Sequence, residues 1–351
     1  MLKFLKKWML PIAITLGAFL FLVLWFVRPL SEHVEPGFSV LAKQIQPTLI
    51  AIMLFLQFNR VSPHDLRFRK WHFVLLGFQI GIFALLTFFA VMLPDGNGRI
   101  LVESAMLCFI CPTASAAGVV TSKLGGSLSD TVSYVVMINV MVAFVVPLAI
   151  PIVNSSSDVP FMTGFLAICM KVFPLLVLPL IFAWIVRYTM GRLQRWLMRY
   201  TEWAFYCWGV ALCFAIYLAT RALVTSGLSV WIVLLIGVIS LVCTLAQFGV
   251  GRAAGRICAS KVKVNDVELV AGQSVVPGNS RDAAESDTIT AGQALGQKNT
   301  GFLIWLGYSY MTPVTSVAGG LYSVFQNCIN SFELYQKEKR ASEKISDTDI
   351  K

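Results

Sequence analysis

The sequence predicts an all-α polytopic membrane protein. It has about ten transmembrane helices in two inverted five-helix repeats, with two broken helices that cross. Composition is the first observation behind this reading: 57% of the residues are hydrophobic and 13% charged, against about 25% charged in a soluble chain. The mean hydropathy is +0.74. The second is that apolar windows of roughly 20 residues, each long enough to cross the hydrocarbon core, recur from end to end. The third is that two of these windows carry a polar, small-residue interruption at mid-depth. The predicted spans are 8–27, 38–57, 73–93, 99–123, 129–153, 160–186, 202–223, 228–250, 287–309 and 312–334.

The first two spans are plain, with Pro11 and Pro47 as kink sites. The basic start Lys3–Lys7 precedes an apolar run too long for a signal peptide, so an uncleaved first helix is expected. The loop Arg28–Gly37, with Glu32, His33 and Glu35, reads as solvated on the outer side. Lys43 lies one turn inside the second span, within snorkelling reach of the surface. The third span holds one strong polar group, Gln79, which can bridge helices.

The fourth span is broken by Pro112, which removes a backbone donor and clashes with the preceding turn. The residues after it, through Ala117 and Gly118, are mostly small, and Thr113, Ser115 and Thr121 add hydroxyls. Taken alone, this stretch also fits a tightly packed, proline-kinked helix. A short turn, Lys123–Asp130, leads to a fifth span with Asn139 at mid-depth.

The sixth and seventh spans read as plain helices joined by the basic segment Arg187–Arg199, and Lys171 has no assigned role. After the eighth span comes a polar stretch, roughly 254–286, read as a solvated cytoplasmic loop. The ninth span opens with Thr290–Gly301, in which Gly292, Gly296 and Gly301 free the backbone from helical geometry. Asn299 and Thr300 can satisfy the groups so exposed, and Gln297 stands beside them. Lys298 falls at its centre. A charge at that depth costs roughly 2.5–3.5 kcal/mol even on lenient scales, so a functional role is the default hypothesis.

Each set of five spans is odd in number, so the second enters the membrane inverted relative to the first. The broken fourth and ninth helices then occupy equivalent places, as in transporters that bind substrate at crossed half-helices near the midplane.

Charge supports the topology. With a cytoplasmic amino terminus, 22 of the 28 lysines and arginines lie on that side, the tail included. The opposite side receives Arg28, Arg99 and Arg221, and Lys43, Lys171 and Lys298 fall within spans. The net charge of +10 is therefore a topology signal and not a nucleic-acid surface. Most of the eight cysteines lie in apolar runs and read as packing residues. Cys108-x-x-Cys111 has redox or metal spacing but no second ligand pair. No metal or other cofactor is expected. No enzyme is expected either, because His33, His64 and His72 lie away from the breaks and no carboxylate pair is visible.

The chain resembles the bile acid:sodium symporter family over nearly all of its helical length. The family's fourth helix carries Cys-Pro-Gly-Gly-Thr-Ala-Ser-Asn; here Cys111–Gly118 reads Cys-Pro-Thr-Ala-Ser-Ala-Ala-Gly. The ninth carries Glu-x-Gly-x-Gln-Asn-Ser-Gly; here Ala294–Gly301 reads Ala-Leu-Gly-Gln-Lys-Asn-Thr-Gly. The run Leu321–Asn327 is similar to the family's tenth helix, and Gln79 falls where the family places a sodium-contacting glutamine. The resemblance implies panel helices at 1–70 and 154–227, core helices at 71–153 and 228–335, and a cytoplasmic tail at 336–351. It also implies a substrate held between panel and core, and a multi-pass protein of the bacterial inner membrane with both termini cytoplasmic. No protein partner is implied; the surroundings are the lipid bilayer.

The departures concern the sodium sites. The family's serine and asparagine ligands align with Ala117 and Gly118, and its fifth-helix hydroxyl pair with Thr131, retained, and Val135, lost. The shared carboxylate aligns with Ala294 and the neighbouring glutamine with Lys298. Shifting the alignment by two places Ser115 on the lost serine, but no shift restores the carboxylate. An ammonium about 4 Å from a sodium ion repels it by about 4 kcal/mol at an effective dielectric near 20. The expectation is a secondary transporter of a small organic anion, not coupled to sodium at the usual sites, in which Lys298 takes the place of a bound cation. Proton release from Lys298 in one state, a purely structural lysine that pairs with a carbonyl or reaches the cytoplasmic mouth, a sodium symporter with rearranged ligands, and a membrane metabolite sensor are the alternatives.

Overall fold

A computed structural model describes residues 2–154, 160–199, 203–259, 268–270, 273–275 and 280–349. In chain order the helices are α1 (Leu2–Phe26), α2 (Arg28–His33), α3 (Glu35–Phe58), α4 (Lys70–Met92), α5 (Asn97–Ile110), α6 (Ala117–Leu124), α7 (Leu128–Val153) and α8 (Phe161–Leu176). There follow α9 (Leu178–Thr189), α10 (Gly191–Arg199), α11 (Trp203–Thr225), α12 (Val230–Ile257), α13 (Ser280–Gly296), α14 (Thr300–Tyr310) and α15 (Ser316–Asp349). A small antiparallel hairpin, β1 (Glu268–Val270) with β2 (Gln273–Val275), lies between α12 and α13.

Seven helical segments among the described residues are long and apolar enough to cross a membrane: Trp8–Phe26, Glu35–Phe58, Lys70–Met92, Leu128–Val153, Phe161–Thr189, Tyr206–Thr225 and Val230–Ile257. Many of their large apolar side chains face outward, including Phe19, Phe88, Met170, Trp231 and Val238. Such a surface is tolerable only where the surroundings are as apolar as the residues. The chain is an all-α, multi-pass membrane protein.

The helices pack in two groups. In one, α1 and α3 lie against α11, and α3 against α9. In the other, α4, α5 and α7 gather with α12, α13 and α15. Between the groups, α14 packs on both α3 and α11, whereas α6 packs on α7, α13 and α15.

Several expectations need correction. The sixth span is not one plain helix: it divides at Val177, between Pro174 and Pro179, because two prolines so close remove donors from consecutive turns. The basic segment after it forms α10, which presents Leu193 and Trp196 as well as its arginines to the surroundings. Lys171 is exposed on α8. Glu35 is not in a solvated loop; it opens α3, is 3% exposed, and pairs with Arg221 across the helix interface at 2.5 Å. The polar stretch 254–286 is shorter than read, since α12 runs to Ile257 and α13 starts at Ser280. Of that stretch, residues 260–267, 271–272 and 276–279 lie outside the described residues, as does the tail beyond Asp349.

The reason for the longer helices is a close seam. A Cβ on Gly251 would lie 2.5 Å from the carbonyl oxygen of Ala291, and one on Gly255 would strike that of Asp287. Only hydrogen at both positions lets α12 and α13 touch backbone to backbone. Gly251→Val therefore lowers the melting temperature of the purified protein, at a cost of about 1–3 kcal/mol, because the obstacle is backbone and cannot rotate aside. Gly249→Val, where a Cβ meets nothing within contact distance, leaves melting unchanged.

Candidate functional site

The two broken helices meet. Pro112 ends the α5 hydrogen-bond ladder, leaving residues 111–116 outside regular helix before α6 begins. In the ninth span, Gly296 ends α13, and the Asn299 side chain starts α14 by accepting from the amide of Phe302 at 3.2 Å. Between these ends the two chains run antiparallel and pair at Thr113 and Lys298. The Ala114 amide donates to Gln297 O at 3.0 Å and the Asn299 amide to Pro112 O at 2.8 Å. Thr113 Oγ1 donates to Ala294 O at 2.6 Å, and Cys111 Sγ to Asn299 O at 3.0 Å.

A helix end leaves carbonyls without partners, and side chains fill that need here. At the end of α5, Gln247 Nε2 donates to Cys108 O (3.2 Å), and Gln79 Nε2 to both Ile110 O (3.3 Å) and Cys111 O (3.0 Å). The Lys298 ammonium takes the remaining one, Phe109 O, at 3.5 Å. At the end of α13, Tyr322 donates its hydroxyl to Gly296 O at 2.8 Å. Gln326 clasps the extended residue on both sides, accepting from the Lys298 amide at 2.8 Å and donating to its carbonyl at 3.3 Å.

Lys298 is fully buried and makes no ion pair among the described residues. Its side chain runs to the carboxyl end of α5 and not to a surface, so of the two structural placements considered above it adopts the carbonyl one. What balances its charge is the negative end of the α5 dipole. The neighbouring side chains include Cys108 and Cys111.

Not every expected residue joins the site. Pro112, Thr113, Gln297, Lys298, Asn299 and the amide of Thr300 form the crossing. Ser115 is half-buried beside it, and its hydroxyl makes no hydrogen bond among the described residues. The hydroxyls of Thr121 and Thr131 bond within their own helices, to Ala117 O and Ser127 O at 2.8 Å each, because a buried threonine finds its nearest acceptor one turn back. Asn139 likewise donates to Val135 O at 2.7 Å, so the structure does not bring its amide to the crossing. Gly118 serves packing, since a Cβ there would lie 2.7 Å from Leu128 Cδ1. Gln79 has both ends occupied: its amide nitrogen holds carbonyls, and its oxygen accepts from Tyr134 at 3.0 Å. Ala117, Val135 and Ala294 offer only alkyl groups at buried positions.

Several residues at the site were not anticipated: Gln247, Gln326, Tyr134 and Tyr322, and Gln46, whose amide donates to Gly301 O at 2.7 Å from α3. Gln247 carried the signal that singled out Gln79, a lone amide in an apolar span. Gln297 also leads away from the crossing, through Gln293 and Glu333 to Arg252.

Comparison with models of protein families and with curated proteins finds no match.

Gln247→Leu or Gln79→Leu leaves buried carbonyls of the α5 end without donors, and each costs about 1–3 kcal/mol of stability. Asn139→Leu, which removes only an amide bonded to its own helix, is neutral or stabilising. Thermal melting in a single detergent ranks the three.

Proposed function

We propose that the chain is a secondary transporter of a small organic anion that works by alternating access, with Lys298 standing where related proteins hold a bound cation. The observation that carries this reading is a fully buried lysine at the crossing of two broken helices, its ammonium turned to the carboxyl end of a half-helix. Two half-helix ends brought together in an apolar protein are the arrangement that transporters use to hold charged cargo. An ammonium there stabilises facing carbonyls as a sodium ion does, but stays attached to the chain.

The reading includes ten crossings in two inverted repeats. An amide–tyrosine pair at each side supports it: Gln79 on α4 with Tyr134 on α7 stands at the first break, while Gln247 on α12 donates both to Cys108 O of that break and to the hydroxyl of Tyr322 on α15, which in turn caps the second break at Gly296 O. It also includes membership of the bile acid:sodium symporter family, as a member without most sodium ligands, on the motifs around Pro112 and Lys298. On this reading α1, α3, α8, α9 and α11 form the panel and the remaining spans the core. The protein resides in the cell membrane, that of a bacterial inner membrane, with both termini cytoplasmic. The positive end of a half-helix and a fixed ammonium favour an anionic substrate.

The test is thermal stability of the purified protein in sodium, potassium and choline chloride, for wild type and Lys298→Ala. Wild type melts at the same temperature in all three. In Lys298→Ala a sodium-specific rise appears; at about ten times the dissociation constant it corresponds to about 1.4 kcal/mol. Sodium-specific stabilisation of wild type overturns the substituted-cation reading.

A further inference from the structure

A second charged cluster lies where α3 begins and α11 and α14 end, between the two helix groups. Glu35, Tyr217 and Tyr308 in it are buried, and Arg221 is mostly so. Arg221 Nε and the Tyr217 hydroxyl both donate to Glu35 Oε1, at 2.5 and 3.2 Å. Arg221 Nη1 donates to the Tyr308 hydroxyl at 2.7 Å. Lys43, two turns further along α3, returns its ammonium to within 4.7 Å of the centre of the Tyr308 ring.

The inventory of this cluster is unbalanced. Two cations, Lys43 and Arg221, face one carboxylate, and no carboxylate of the described residues lies within ion-pair distance of Lys43. The Tyr308 oxygen accepts from Arg221, and its own proton goes to no acceptor among the described residues. Arg221 also keeps its second terminal nitrogen, Nη2, outside these bonds. An ammonium, a guanidinium edge and a phenol proton thus converge with donors to spare and one positive charge in excess. Lys43 is exposed and so accessible to a ligand, and an ionisable group within a membrane span marks a ligand path more often than a packing need. A guanidinium edge beside an ammonium fits a planar carboxylate.

We propose that Lys43, Arg221 and Tyr308 form a recognition site for the carboxylate of the substrate, with Glu35 fixing Arg221 from the opposite side. This rests on the transport reading and narrows its substrate to a small organic anion bearing a carboxylate. The site joins α3 and α11 to α14, so a carboxylate bound there bridges one group of helices and the helix that lies between the two.

The experiment uses the full chain in detergent and potassium benzoate as the probe. Benzamide is the neutral control, and potassium chloride holds ionic strength constant. Benzoate raises the melting temperature of wild type and benzamide does not. Lys43→Gln, a change at an exposed side chain, weakens the apparent affinity about tenfold, the loss expected of one charge pair worth about 1.4 kcal/mol. Lys43→Arg retains most of the affinity, and Tyr308→Phe, which keeps the ring but not the proton, loses part of it. Equal effects of benzoate and benzamide on wild type, or equal benzoate affinity in wild type and Lys43→Gln, overturn the proposal. Benzoate stabilisation that is lost in Lys298→Ala but kept in Lys43→Gln places the anion at the crossing; this site is then wrong and the transport reading stands. Sodium-specific stabilisation of wild type, with the benzoate pattern intact, removes the substituted-cation reading and leaves this site.

Discussion

A broken helix in an apolar medium has to find partners for every backbone group that it frees, since water is not there to take them. That constraint explains more of this protein than any other. Each break exposes several carbonyls at one end and amides at the other, and each unpaired group in hydrocarbon costs several kcal/mol. The chain solves this by bringing the breaks together, so that residues 112–114 and 297–299 pair with one another as a minimal antiparallel ladder. What the ladder cannot reach, long amides from neighbouring helices do. Gln79, Gln247, Gln326 and Gln46 each arrive from a different helix to bond main-chain atoms at or beside the breaks. The surrounding helices are thereby fixed in register around the crossing.

The buried charges follow two different solutions. Asp130 pairs with Arg69, Glu103 with Arg99, and Glu35 with Arg221, each carboxylate almost wholly covered and its arginine reaching toward the surface. Lys298 has no such counterpart among the described residues and relies on peptide dipoles instead. Lys43, by contrast, is exposed and lies over an aromatic face.

The membrane class, the two breaks and the position of Lys298 within the second of them were legible in the sequence because each rests on local information. Composition fixes the solvent, Pro112 forbids a helical bond whatever surrounds it, and Gly296 loosens its own backbone. Less legible was anything that depends on a distant partner. A glutamine in an apolar run announces that it needs hydrogen bonds without saying where they are, so Gln247 and Gln46 passed as ordinary helix residues. Glu35 looked solvated because its partner Arg221 lies 186 residues away. Nor does the sequence say where a hydroxyl turns: those of Thr121 and Thr131 donate back to their own helices.

The seam between α12 and α13 has a mechanical side. Where two backbones touch with only glycine hydrogens between them, no side chains can change rotamer to let one helix slide on the other. The pair is a single stiff beam, and the strand at 297–299 is attached to its end. At the other side of that strand, α14 meets α3 and α11 through Tyr308, Ile50 and other side chains that can repack. A displacement of α12 therefore carries α13 with it, and the strand at 297–299 moves with the pair.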